Sequence, residues 1–357
     1  MSATTTKETA RAVRPARAVR TPGGYSFRTH PRAAVVVLVL AAVAAGAAVV
    51  LIGSGDFSMT PGEVVTTLFG HGTFQQEFIV TELRLPRVLV GLLVGAALGA
   101  GGAVFQTISR NPLGSPDVLG FGQGATVGAL TVIVLFHGGA AAVAGGAVVG
   151  GLVTGLAVYL LAWKRGVHGF RLVLVGIGAA AMLTAVTQYL ITKANLVDAT
   201  RAVVWMTGSL DGRDWAQVWP LLAVCAVLLP LVYGHGPALR VMEMGDDAAC
   251  ALGVRVERVR LLLMGSAVLL VAVATAAAGP IAFVSLSAPQ LARRLTRSTG
   301  PNLVAATVMG AALLLVADWI ALDAFGDRQL PVGVVTGVLG GCYLVWLLVT
   351  ERKAGRI

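Results

Sequence analysis

The sequence predicts an all-α polytopic membrane protein with about ten transmembrane helices, and three observations carry that prediction. Hydrophobic residues make up 56% of the 357-residue chain and charged residues only 12%, against roughly 25% charged in an ordinary soluble domain. The apolar residues gather in runs long enough to cross about 30 Å of hydrocarbon. The 27 basic residues divide 21 to 6 between alternate connecting segments, an asymmetry that places both termini in the cytoplasm.

Residues 1–32 are basic and rich in small residues, without a short apolar core ending in a cleavage site. They read as a disordered cytoplasmic tail, with attraction to anionic lipid as the functional alternative. The membrane domain covers 33–350, with spans near 33–53, 86–108, 119–137, 140–162, 171–192, 216–235, 258–278, 280–297, 303–323 and 331–350. Residues 351–357 form a second cytoplasmic tail. The net charge of +10 is accounted for by this topology, so no nucleic-acid partner is implied. Cys225, Cys250 and Cys342 fall in the sixth span, an inner loop and the tenth span, which offers neither a disulfide framework nor a zinc spacing.

The most informative stretch runs from Arg84 to Ala125. Its apolar run carries Gly91, Gly95, Gly99, Gly101 and Gly102, a spacing of small residues that lets helix backbones approach closely in lipid. Asn111-Pro112-Leu113-Gly114-Ser115-Pro116 then stops the helix before a second apolar run. Three other segments face water. These are the outer loop 56–83, the outer stretch 194–215 with the amphipathic pattern of a short interfacial helix, and an inner segment of about 240–257 that is too polar to span. GGAVFQTISRNPL from Gly101 and AGPIAFVSLSAPQL from Ala278 echo each other, as related halves of a transporter would.

Catalytic chemistry finds no foothold. His30, His71, His137, His168 and His235 lie in loops or at span ends without the partner spacing of a metal site. No GxxxxGK[ST] stretch exists, so any ATP that drives this chain is hydrolysed by another polypeptide. The spans also lack the buried ionisable residues of an ion-coupled carrier. Asp318 is the exception, and a helix-packing hydrogen bond outweighs a proton relay there.

A set of ordered motifs points further: RLPR at Arg84, GAALGAGGAVFQ leading into NPLGSPDVLGFGQGA, WMTGSL at Trp205, GDDAACALGV at Gly245, GPIAFVSLSAPQLARRLT at Gly279, Ala317-Asp318, and LPVGVVTGVLGG at Leu330. With them, about residues 80–350 resemble a permease subunit of the FecCD type, the family of iron-siderophore, haem and vitamin B12 importers of the type II ABC class. Leu322, Gln329 and Gln290 stand where many relatives carry Arg, an acidic residue and His. In these departures the chain is most similar to the second permease of ferric enterobactin-type systems.

The resemblance implies the type II ABC importer permease fold in the cytoplasmic membrane. The chain would be a non-enzymatic transport subunit pairing with a second, different permease. Two ABC ATPases would bind ATP and Mg, an extracytoplasmic siderophore-binding protein would deliver a ferric siderophore, and this chain would hold no cofactor or metal. Glu243, Gly245, Asp246, Asp247, Ala251, Leu252, Gly253 and Arg255 would couple to the ATPase, with an ordinary solvated loop as the alternative. Arg84 and Arg87 would dock the binding protein, helped by Arg328 in place of the missing arginine, or else anchor the second span at the headgroups. Gln106, Gln188 and Ser287 are candidates for the translocation path. Haem or cobalamin import by the same fold remains the alternative within the class. A proton-coupled secondary transporter and a membrane-embedded enzyme are the alternatives outside it.

Overall fold

A computed structural model describes residues 17–20, 26–29, 31–55, 57–163, 169–324 and 329–353. Within the stretch expected to be a disordered tail, Arg17–Arg20 (β1) and Ser26–Thr29 (β2) pair as an antiparallel ribbon with Arg17 opposite Thr29. The rest of the described chain is helical. In order come α1 Pro31–Gly53, α2 Pro61–Leu68, α3 Phe74–Phe78, a π-helical turn Ile79–Arg84, α4 Leu85–Ser109, α5 Phe121–Leu135, α6 Ala140–Ala162 and α7 Gly169–Lys193. They are followed by α8 Leu196–Met206, α9 Trp215–Gly234, α10 Gly236–Met242, α11 Asp246–Ala251, α12 Val256–Ala278, α13 Val284–Thr296, α14 Leu303–Asp323 and α15 Val332–Lys353.

Among the described residues seven helices are long and apolar enough to cross a membrane, the longest being the continuous 36-residue run Phe74–Ser109. Helix α4 sits at the centre, with α14, α12 and α13 against it and α1, α7 and α9 towards the outside. Glycine sets the closeness of the central pair. A Cβ on Gly95 would strike the carbonyl of Gly310, and one on Gly310 would strike that of Gly95, so the two backbones meet with no side chain between them.

The span expected at 280–297 is corrected by the structure. Gly279 (φ 76°) and Phe283 (φ 68°) turn the chain in the left-handed region, and only the 13 residues from Val284 are helical. That is about 20 Å of helix, short of a bilayer crossing. The polar content of SLSAPQLARRLT leaves the helix amphipathic, which is why a simple apolar count overextends it.

Helix α5 is short for a related reason. Its 15 residues reach about 22 Å, and Gly124 near its start packs on Thr154, eight residues before the inner end of α6 at Ala162. The 110–120 loop therefore dips about 12 Å into the bundle from the cytoplasmic side. Non-helical backbone at such depth is tolerated only when buried in protein or lining a cavity, and here the loop packs against α13.

Candidate functional site

Outer-face arginines predicted to dock a partner are engaged inside the chain. Arg84 donates to the carbonyls of Ile52 (2.6 Å) and Phe57 (2.8 Å), closing the turn after α1. Arg87 lies one turn into α4 and makes a forked pair with Asp318 on α14, Nε to Oδ2 at 3.0 Å and Nη2 to Oδ1 at 2.8 Å. The Asp318 side chain is only 1% exposed, and the remaining Nη1 of Arg87 is 3.5 Å from the exposed Asp211. So Asp318 packs helices together, and Arg87 offers a partner one nitrogen at most. Arg328 lies outside the described residues.

At mid-depth, a cavity of about 230 Å³ opens among α5, α7, α8, α12 and the turn before α13. Its polar lining comes from Asp117, Gln123, Thr126, Thr184, Thr187, Gln188 and Thr275. The expected path residue Gln188 is there; the other two are not. Gln106 is buried and donates to Leu286 O at 2.9 Å, bolting α4 to α13. Ser287 donates to Phe283 O at 2.7 Å and lines a separate cleft of about 80 Å³ beside Thr336 and Tyr343.

Sequence reasoning missed Asp117, which directly follows the Asn111–Pro116 helix stop. The dip of the loop carries it to the start of α13, where it accepts a 2.6 Å hydrogen bond from Ser285 Oγ. An ionisable group therefore stands at depth on a loop rather than within a span, in addition to Asp318. Thr184, Thr187 and Gln188 could have been found together: at three- and four-residue spacing they share one side of α7, and polar side chains inside an apolar span face a cavity or another protein. The echoing motifs also meet, since Gly102 abuts the Ser285 carbonyl and Gln290 donates to the Pro112 carbonyl.

On the cytoplasmic side α10 and α11 form a compact corner between α9 and α12. Gly245 (φ 118°) and Gly253 (φ 81°) bracket α11 in conformations that glycine adopts without strain. The corner sorts the residues expected at an ATPase interface into two sets. Asp247, Ala251, Leu252, Gly253 and Arg255 are exposed, together with Met244, and two of them, Met244 and Leu252, are large apolar side chains at 73% and 66% exposure. Glu243 and Asp246 are half-buried instead, and Asp246 reaches back to the helices behind it. Burial pushes the Glu243 carboxyl above its usual range, opposed by the guanidinium groups of Arg293 and Arg240. Asp246 bridges Arg110 at the end of α4 and Arg260 on α12, the second contact at 2.8 Å.

Among the described residues no cluster of three or more His, Cys, Asp or Glu is placed to hold a metal ion. The parts assembled so far are a helical bundle of membrane-crossing length, a cavity at depth with polar side chains in its wall and a cytoplasmic corner with exposed apolar knobs. They define a multi-pass transport permease. The chain belongs to the FecCD transport family, which matches residues 37–350. It is 49% identical over 300 residues to the ferric enterobactin transport system permease protein FepG of Escherichia coli K12, covering 84% of this chain and 91% of that one. It is 36% identical to the iron(3+)-hydroxamate import system permease protein FhuG of Bacillus subtilis 168, covering 82% and 90%. A solved structure described as an inward-facing metal-chelate type ABC transporter superposes with a TM-score of 0.78 at 25% identity, over 89% of this chain and 99% of that one.

Proposed function

We propose that this chain is the permease subunit of an ATP-driven importer that brings ferric siderophore complexes into the cytoplasm. The observation that carries the reading is its relation to the ferric enterobactin permease, which extends through nearly the whole of that relative. The geometry supports it. Most of the cavity's polar groups are hydroxyls and amides, which hold the outside of an already chelated ion by hydrogen bonds without competing for the metal, and its one carboxylate, Asp117, is engaged by Ser285.

In this mechanism a second, different permease completes the pathway, facing the Thr184 to Gln188 side of α7. An extracytoplasmic binding protein delivers the chelate. Two ABC ATPases, which bind the ATP and Mg, receive Met244 and Leu252 of the α10–α11 corner in a surface cleft, with Asp247 and Arg255 as the polar rim. ATP binding then reorients the two permeases about the cavity, as in rigid-body alternating access.

The test is uptake of radiolabelled iron presented as a siderophore complex, in a deletion strain carrying the wild-type chain or Leu252→Asp. We expect deletion to abolish uptake, the wild type to restore it, and Leu252→Asp to lose both uptake and co-purification of the ATPase. Normal siderophore uptake by the deletion strain, with loss of cobalamin or haem uptake instead, would move the substrate to those chelates.

A further inference from the structure

The half-buried residues of the cytoplasmic corner bond to the helices behind them, and their chemistry points beyond docking. Asp246 opens α11, and its two oxygens go to different helices. Oδ1 meets Arg110 Nη2 at the C-terminal cap of α4, and Oδ2 meets Arg260 Nη2 on α12. Arg260 also donates to Glu257 Oε1 at 2.8 Å, and its side chain is only 3% exposed. Arg110 itself is held in the left-handed region (φ 49°), a conformation that a non-glycine residue keeps only when its surroundings hold it there.

This is an awkward arrangement to keep for stability alone. Arg260 Nε and Glu257 Oε2 have no protein partner, and the buried Arg260 guanidinium pairs with carboxylates, Asp246 and Glu257, that are 40% and 43% exposed, so its desolvation is set against an attraction that solvent screens. What the arrangement does supply is geometry. One carboxylate fixes the short α11, which stands next to the exposed Leu252, to the two most central helices of the bundle. One of these, α4, is bolted again at mid-depth by Gln106 to α13 and at its outer end by Arg87 to α14.

We propose that Arg110, Asp246 and Arg260 form a transmission clamp. It makes the ATPase-facing corner and the α4/α12 core move as one body, so that movement imposed at the cytoplasmic face reaches the cavity and the outer face. Asp246 is thus a positioning residue rather than a docking residue. The inference rests on the importer reading above, and it refines it by separating residues that grip the ATPase from those that pass its motion on.

The experiment uses the full transporter, purified with its ATPase and reconstituted in liposomes. Spin labels sit at two exposed positions, the native Cys250 on α11 and Leu83→Cys in the π-helical turn just before α4, in a background with Cys225 and Cys342 replaced. In the otherwise wild-type complex the distance between labels should stay unchanged on adding ATP. In Asp246→Asn it should shift or broaden by several ångströms. Uptake should fall at least tenfold while ATP hydrolysis stays within twofold of wild type, and Asp246→Glu should restore most of the uptake. Arg110→Gln, which spares the Arg260 contact, provides the same test if Asp246→Asn fails to assemble. A parallel fall in hydrolysis and uptake, or an unchanged label distance and unchanged uptake in both variants, would overturn the clamp. Wild-type vesicles that hydrolyse ATP and keep the label distance yet take up no ferric siderophore would overturn the substrate assignment and leave the clamp standing.

Discussion

Arg87 and Asp318 show how much depends on whether two side chains are read singly or as a pair. Alone, an arginine near the outer end of a span is a headgroup anchor or a docking group. Facing a carboxylate that is 1% exposed, it neutralises a charge the bundle could not otherwise hold. Removing one partner should therefore hurt far more than removing both. Arg87→Ala is expected to cost about 3–5 kcal/mol of stability, and Arg87→Ala with Asp318→Ala distinctly less than the sum of the two single changes. Thermal unfolding of the four proteins in detergent checks this, and strict additivity would remove the pairing. Glu243 gives a prediction of a different kind. Its folded-state proton affinity is raised by burial, so its stabilising contribution is full below the unfolded-state value and is lost as pH rises through the folded-state one. Glu243→Gln should match the wild type at acid pH and melt progressively above it as pH rises past the usual carboxylate range. A melting difference that does not change with pH would contradict the burial effect.

At the scale of the element, bilayer physics made most of the fold legible. A crossing helix must satisfy its own backbone and carry about 20 apolar residues, so α1, α4, α6, α7, α9, α12 and α14 announce themselves by composition. Helix α13 and the 110–120 loop do not, because neither holds an apolar run of crossing length and the bonds that seat them come from side chains distant in sequence, Gln106 to the Leu286 carbonyl and Gln290 to the Pro112 carbonyl. Glycine spacing on α4 correctly signalled close packing but could not name Gly310 as the partner. Gly95→Val should wedge α4 and α14 apart at a cost of about 1–3 kcal/mol, measurable as a fall in melting temperature; the same change at the open Gly265 should do little. The cavity residues were half legible for a similar reason. Thr184, Thr187 and Gln188 share a helix and a period, whereas Asp117 joins them only through a change of chain direction that no periodicity encodes.

At the scale of the whole molecule, the structure separates holding, gripping and passing. The Arg87–Asp318 bolt and the glycine seam hold the core; the Met244 and Leu252 knobs face the cytoplasm; the polar side of α7 opens on the cavity. Substitutions should sort accordingly. Thr184→Val with Gln188→Leu removes hydrogen-bonding groups from the cavity without touching the corner, so transport should lose about tenfold in efficiency through the substrate-dependent step. Basal ATP hydrolysis and complex yield should stay near wild type, and an equal loss of hydrolysis would place these residues outside the path.

The bond from Gln106 to the carbonyl of Leu286 joins residues 180 positions apart, and the glycine notch of α4 waits for the same stretch of backbone. At the pace of translation, that partner emerges roughly 10–40 s after α4 itself. Through that interval the dipped loop and its carboxylate sit in a half-made bundle with their contacts missing. Membrane insertion of this chain is therefore a matter of delayed closure, in which the first helices delivered are the last to find their final neighbours. A ribosome that stalls before α13 leaves behind a product with an open polar seam, ready for a membrane protease to recognise.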